Sequence, residues 1–313
     1  MTLQQLEYLT AVDTFRHFAK AADVCCVTQP TLSMMIQKAE DELEVKIFDR
    51  SKHPVEPTPI GQQIIAQARI TLRHFRQIKE VVDEEQGMAK GVFRLGIIPT
   101  IAGYLVPAML QKHQERCGDI ELVLKESTTT ALVSQIMNGT MDGGILAGPL
   151  HHSGLMEYPV YYEKFYAYVS PQNKAYRQKE IDLDKLDISD VWLLENEHCL
   201  RGQIERLCSR KRKQPAGNSS IRYESGSIDT LIHVVDYNPG MTIIPEMHAM
   251  GLSEDRQENL RPFKNRTAVR EVSLMVSNDY VRKTMLNAIL DIVKSSVPKS
   301  MQDPKLKEFA VDL

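Results

Sequence analysis

Two cysteines nine residues apart, Cys199 and Cys208, lie in the segment WLLENEHCLRGQIERLC, residues 192 to 208. The thiolate form of a cysteine is a nucleophile toward peroxides and other thiols, and its surroundings set how much thiolate is present. Cys199 follows His198 and sits two residues before Arg201. With a helix starting there, its sulfur would also face a helix N-terminus, and all three neighbours favour the thiolate. Cys208 has only Arg206 and Arg210 as comparable company. Two plainer readings of the pair stay open at this point: thiols packed in a core, or metal ligands together with His151, His152 or His198. The other cysteines, Cys25, Cys26 and Cys117, read as packing residues. Five cysteines is an odd number without a CxxC pair, which argues against both a disulfide-stapled scaffold and a ribbon-type zinc site. No metal and no cofactor is expected.

A chain of 313 residues exceeds what one hydrophobic core usually supports, so at least two compact units must position these residues. With 42% hydrophobic and 25% charged residues the chain reads as ordinary globular protein, without a membrane span. The first ten residues carry Glu7 and two glutamines where an export signal needs a basic start and an apolar core. A cytoplasmic, reducing setting is therefore expected, and any disulfide there would be regulatory. The net charge of −3 offers no global attraction to nucleic acid, so any DNA binding must come from a local surface.

Residues 1 to 58 contain such a surface. Leu3, Leu6, Leu9 and Val12 mark a first helix, and Phe18, Ala21 and Ala22 a second, short one. After the Cys25-Cys26-Val27 turn, Thr28 is a good N-cap and Pro30 is tolerated in a first turn, so a third helix is predicted from Gln29 to about Leu43. Leu32, Ile36, Ala39 and Leu43 form its buried stripe. The opposite face presents Gln29, Thr31, Ser33, Met34, Gln37 and Lys38, short polar groups of the kind that let a helix enter a major groove and read base edges. A solvated polar face is the plainer alternative.

Thr58-Pro59 then starts a long helix within residues 59–90. Ile64, Ala68, Leu72, Phe75, Ile78 and Val82 make a narrow apolar seam on it, which reads as a coiled-coil-like dimer contact. From residue 91 onward strands and helices alternate: Val92 to Ile98, Ile120 to Leu124 and Gly143 to Ala147, then Phe165 to Val169, Val191 to Leu194, Ile221 to Glu224 and Met241 to Ile244. Residues 271 to 277 and a helix from about Tyr280 to Val293 close the chain. The order predicts a mostly parallel α/β sheet in two subdomains, about 91–163 with 268–313 and 164–267, joined by crossovers near 163 and 267. In such sheets ligands sit at the carboxyl ends of strands, where Thr100, Thr129 and the segment after Leu194 fall.

The run AADVCCVTQPTLSMMIQKAEDELEVKIFDR resembles the winged helix-turn-helix of LysR-type transcriptional regulators, with Ile36, Glu40, Leu43, Phe48 and Arg50 in register and Ala39 where leucine is usual. Such regulators share the bilobed layout of periplasmic-type binding proteins. The resemblance implies an α/β protein with a winged helix-turn-helix, a linker helix and a two-subdomain regulatory domain. Its implied partners are double-stranded promoter DNA and RNA polymerase, and it implies a homo-oligomer, a dimer through the linker helix and a tetramer on DNA. By the same resemblance Thr28, Gln29, Pro30, Thr31, Ser33, Gln37 and Lys38 approach DNA, and Arg50 on the wing reaches the DNA backbone or minor groove.

The H-C-L-R stretch with a second cysteine nine residues later resembles the redox segment of the peroxide-sensing members, which control antioxidant genes. That implies Cys199 as the peroxidatic residue and Cys208 as the resolving one, with Thr100, Thr129, His198, Arg201 and Arg270 lining a hydrogen peroxide pocket. For both threonines, helix capping alone is the competing role. A helix over nine residues rises about 13 Å, whereas a disulfide needs alpha carbons within roughly 7 Å, so helix and bond exclude each other. Two other functions remain open: a LysR-type regulator answering a small metabolite between the subdomains, in which thiol status would not matter, and a thiol peroxidase, which leaves the N-terminal unit unexplained.

Overall fold

A computed structural model of the chain describes residues 1–87, 89–116, 119–208, 223–264 and 268–311. Cys117, Arg210, the start of the strand expected at Ile221 and the crossover near 267 lie outside the described residues. The chain divides into two compact units, Met1–Met88 with Met137–Thr140, and Ala89–Ile136 with Met141–Leu313.

In the first unit α1 (Leu3–Phe15), α2 (Phe18–Val24) and α3 (Gln29–Leu43) are followed by a wing of β1 (Phe48–Asp49) and β2 (Glu56–Pro57), paired antiparallel. The Thr28 hydroxyl caps α3 by accepting from the Thr31 N–H. Leu32, Ile36 and Ala39 are buried with Leu6, Leu9 and Val12 of α1, but Leu43 is exposed. The stripe ends one turn earlier than its spacing suggested because Glu40 takes the buried place. Its carboxylate accepts from the Ile47 and Phe48 N–H groups at 2.8 and 3.2 Å, fastening the wing to α3.

The helix α4 (Pro59–Glu85) is capped by Thr58, which accepts from the Gly61 N–H. Its seam divides in two. Ile65 and Ala68 pack into the core of the first unit, whereas Phe75, Ile78, Val81 and Val82 are left exposed at 51–66%.

The second unit is built on one seven-stranded sheet. The strands β3 (Gly91–Ile97), β4 (Ile120–Glu126) and β5 (Gly143–Gly148) run parallel, linked by α5 (Pro99–Arg116) and α6 (Thr129–Met137). The rest of the sheet is antiparallel, against the expectation of a mostly parallel one. The strand Val269–Ser277 pairs antiparallel with both β5 and β6 (Leu155–Val169). Residues up to Lys164 of β6 pair with that strand, and Phe165 to Val169 pair with the strand Met241–Pro245. One long strand thus runs through both halves of the unit, the crossover expected near residue 163. Val191 and Leu194 make isolated bridges to Met241 and Ser225 in place of the expected strand. The last helix, Lys283–Ser295, begins three residues later than its periodicity suggested. Among the described residues, no helix is long and apolar enough to cross a membrane.

Candidate functional site

The segment carrying the two cysteines forms α7 (Cys199–Leu207), with His198 at the N-cap and Cys208 at the C-cap. Leu200, Ile204 and Leu207 face the core, together with α8 (Ile228–Tyr237) and the strand Met241–Pro245. Apolar residues at positions two, six and nine of so short a helix place its two ends in different environments. Cys199 is half-buried at the first helical position. Cys208 is buried in the apolar core, and that burial, helped by the charges of Asp187 and Glu205, pushes its thiol up to about 12. At 1.5 Å of rise per residue the two alpha carbons stand about 13 Å apart, beyond the reach of a disulfide.

The residues around Cys199 are joined by Arg270, which lies on the central strand Val269–Ser277 with 1% of its area exposed. Its Nη1 donates to the Thr100 hydroxyl at 3.0 Å and its Nη2 to the Thr100 carbonyl at 3.1 Å. Its Nε donates to Glu163 Oε1 at 2.7 Å. Burial pulls this guanidinium down, yet Glu163, Tyr161 and Cys199 outweigh it and hold it above its ordinary value. The negative charge available at Cys199 is therefore felt at Arg270.

Thr100 is buried in the first turn of α5 and serves as the acceptor for Arg270, not as that helix's cap. The cap before α6 is supplied by Thr128, whose hydroxyl receives the Ala131 N–H at 3.5 Å. The Thr129 hydroxyl is buried without a hydrogen-bond partner among the described residues. Capping thus accounts for neither threonine. Thr100 also lines a cavity of about 260 Å³ with Tyr104, Glu126, Ser227, Asp229 and His248; Thr129 is not among its lining residues.

Arg201 does not join this cluster. Its guanidinium is turned to the other side of α7, where it donates to the Leu194 carbonyl at 2.9 Å and to Glu224 and Glu205 at 3.0 Å each. It clamps α7 to the two segments flanking it. His198 gives α7 its N-cap backbone, with no hydrogen bond from its side chain to the helix.

Four residues that the sequence did not single out as functional belong to the site: Glu163, His248, Tyr104 and Asp229. Glu163 is fully buried, and its signal was a carboxylate beside Lys164 within the aromatic-rich stretch Val160 to Phe165. His248 of α9 (Glu246–Met250) stacks edge-on against Tyr104, with ring centroids 4.6 Å apart. Its Nε2 lies 3.2 Å from Asp229 Oδ1 without hydrogen-bond alignment, and burial first, then Arg270, drives its value down to about 4 against the pull of Asp229. Among the described residues, no cluster of His, Cys, Asp and Glu could hold a metal ion.

In the first unit Gln29, Pro30, Thr31 and Lys38 are exposed on α3, and Ser33 and Gln37 are half-buried. Arg50 has intramolecular partners. It donates to Ser33 Oγ at 3.1 Å and to Glu40 at 3.4 Å, and it lies over the Phe18 ring. Gln29, Ser33 and Arg50 border a groove of about 690 Å³ that adds Arg16, His17, Lys20 and His53, basic residues which α3 alone did not suggest.

A helix-turn-helix with a wing, a long helix and a two-part α/β sheet define a DNA-binding transcriptional regulator. The chain belongs to the LysR family: residues 86–298 match the LysR substrate binding domain, and residues 3–62 match the bacterial regulatory helix-turn-helix protein, lysR family. It is 29% identical over 301 residues to a hydrogen peroxide-inducible genes activator of Haemophilus influenzae, covering 94% of this chain and 98% of that protein. Among solved structures it is similar to a full-length OxyR variant from Pseudomonas aeruginosa, with a TM-score of 0.78, 28% identity, and 94% and 98% of the two chains covered. A Corynebacterium glutamicum OxyR mutant with hydrogen peroxide bound aligns at a TM-score of 0.63 and 25% identity, covering 100% of this chain and 97% of that one.

Proposed function

We propose that this chain is a hydrogen peroxide-sensing transcriptional regulator that switches through a reversible Cys199–Cys208 disulfide and controls antioxidant genes from the cytoplasm. The observation that carries this reading is the pairing of a half-exposed Cys199, electrostatically linked to Arg270, with a buried Cys208 at the far end of the same helix. In the first step the Cys199 thiolate attacks one peroxide oxygen. The S–O bond forms as the O–O bond breaks, giving a sulfenic acid and hydroxide, and Arg270 offers the positive charge on which hydroxide leaves. Thr100 and Thr129 bring hydroxyls to orient the peroxide, and Thr129 has an unused one.

In the second step the Cys208 sulfur attacks the sulfenic sulfur, its proton leaving with the hydroxyl as water, and an S–S bond replaces the S–O bond. Cys208 can reach Cys199 only when α7 unwinds. Unwinding releases the Arg201 clamp and the core contacts of Leu200, Ile204 and Leu207, so the chemistry remodels the sensor half.

The head reads promoter DNA through Thr28, Gln29, Pro30, Thr31, Ser33, Gln37 and Lys38 of the α3 segment. Arg50 braces α3 from the wing and turns its remaining surface to the DNA backbone. The exposed Phe75, Ile78, Val81 and Val82 of α4 are covered by a second copy, giving a dimer that assembles as a tetramer on DNA and there meets RNA polymerase. Free-thiol counting by mass spectrometry before and after a small dose of peroxide tests the reading. Loss of two thiols, mapped to 199 and 208 and abolished by Cys199→Ser, is expected; a Cys199→Ser chain that still responds to peroxide overturns it.

The cavity beside Thr100 favours a second reading, a small ligand held between Glu126, Asp229 and His248. In that case a ligand would raise thermal stability and thiol status would be irrelevant.

A further inference from the structure

The deepest carboxylate in the sensor half is Glu163, and the chemistry described so far gives it no task. It stands directly across from Arg270 in the antiparallel register of β6 and the strand Val269–Ser277. Both side chains are out of water, with 0% of the Glu163 side chain and 1% of the Arg270 side chain exposed. Glu163 Oε1 receives Arg270 Nε at 2.7 Å and lies 2.6 Å from Nη2, while its Oε2 accepts the Met247 N–H at 3.2 Å. The carboxylate is thus anchored on one side to α9 and grips the guanidinium on the other.

A guanidinium has five donors. One edge of this one is held by Glu163, and Thr100 takes a hydrogen from each terminal nitrogen, so Nη1 keeps a second hydrogen beyond the one it gives Thr100. We propose that Glu163 is a positioning residue for the peroxide chemistry at Cys199: it fixes the direction of the Arg270 guanidinium and balances its charge, so that Arg270 works as an aimed hydrogen-bond donor and not as a free buried cation. The inference rests on the peroxide-sensing reading above. An unpaired cation in this core is costly and would draw an anionic partner toward itself. Besides Glu163, the groups whose negative charge would act on Arg270 are Tyr161 and Cys199, and burial holds the Tyr161 phenol protonated, which leaves the Cys199 thiol. Removing the balancing charge while keeping the shape should therefore favour the Cys199 thiolate at lower pH, and shifting the carboxylate should misdirect the donor.

The test compares full-length wild type, Glu163→Gln and Glu163→Asp, following the rate of Cys199 oxidation by hydrogen peroxide against pH with thiol mass spectrometry. Glu163→Gln should move the midpoint of the rate profile down by roughly one pH unit. Glu163→Asp keeps the charge one methylene further back; it should hold the wild-type midpoint and lose about tenfold in rate. A purely structural role would lower the melting temperature of both variants and leave the midpoint alone, so a folded Glu163→Gln chain with the wild-type midpoint overturns the proposal. Should Glu163→Gln fail to fold, a wild-type rate in Glu163→Asp overturns it equally. Wild-type protein whose Cys199 does not react with peroxide at all would instead overturn the peroxide-sensing reading.

Discussion

The helices α3 and α7 are both short amphipathic elements at functional positions, and they are secured in opposite ways. The reading helix α3 has 15 residues, a hydroxyl cap from Thr28, a left-handed C-cap at Glu44 and a buried carboxylate at Glu40 nailing it to the wing. The sensor helix α7 has 9 residues, no side-chain cap at His198 and an extended residue, Cys208, at its end. Helices of that length are marginal alone, so α7 stays coiled because of its burial and the Arg201 clamp. On the function proposed, α3 must keep its shape to read DNA, whereas α7 must be able to lose its own, and local capping is where the two differ.

Five substitutions and a change of pH probe that difference. Glu40→Ala leaves the Ile47 and Phe48 N–H groups unmatched and Arg50 without its anchor, and it should cost the head about 3 kcal/mol in chemical denaturation. A loss under about 1 kcal/mol would mean α3 is no more firmly fixed than α7. Arg201→Ala removes the clamp and should ease local opening of α7 by about 2 kcal/mol, read as roughly 30-fold faster alkylation of Cys208 in the folded protein. Unaltered alkylation would transfer the hold on α7 to its apolar contacts alone.

Alkaline pH acts on α7 through Cys208. Its thiol rises from 9.0 to about 12 on folding, so its contribution to stability is complete below pH 9.0 and fades as pH climbs toward about 12, where the folded state also gives up its proton. Fluorescence of Trp192, the single tryptophan, which packs on the same core, should show the unfolding midpoint falling in that window. Cys208→Ala should flatten the fall, and an identical slope in both proteins would assign it elsewhere. The smallest effects concern caps. Thr28→Ala should cost α3 about 1 kcal/mol, while His198→Asp, supplying the cap α7 lacks, should slow exchange of its amides by a similar free energy. No loss from Thr28→Ala and no slowing from His198→Asp would remove capping from the comparison.

The local features of this molecule were legible from residue types. Thr28 and Pro30 gave the start of α3, and Thr58-Pro59 gave the start of α4, because caps and proline act within one turn. The helix that the sequence argument supposed over residues 199 to 208 is found as α7, beginning at Cys199. What stayed hidden depends on distance in the chain. Arg270 meets Thr100 across 170 positions, a meeting implied by resemblance and not by residue pattern, and Glu163 meets Arg270 through a strand pairing whose direction composition does not encode. His248, Tyr104 and Asp229 converge from α9, α5 and α8, three separate helices. Arg201 shows the limit of adjacency: two residues from Cys199 in sequence, it points away because a helix turns neighbours to different faces.

The account turns on α7 being intact in the reduced protein and lost in the oxidised one. Hydrogen exchange across residues 199–207, measured on the full-length chain before and after peroxide with the disulfide mapped in the same samples, examines this directly. Protected amides before treatment, and their loss in proportion to a Cys199–Cys208 bond, are the predicted result. A disulfide formed with the protection of α7 undiminished would contradict it.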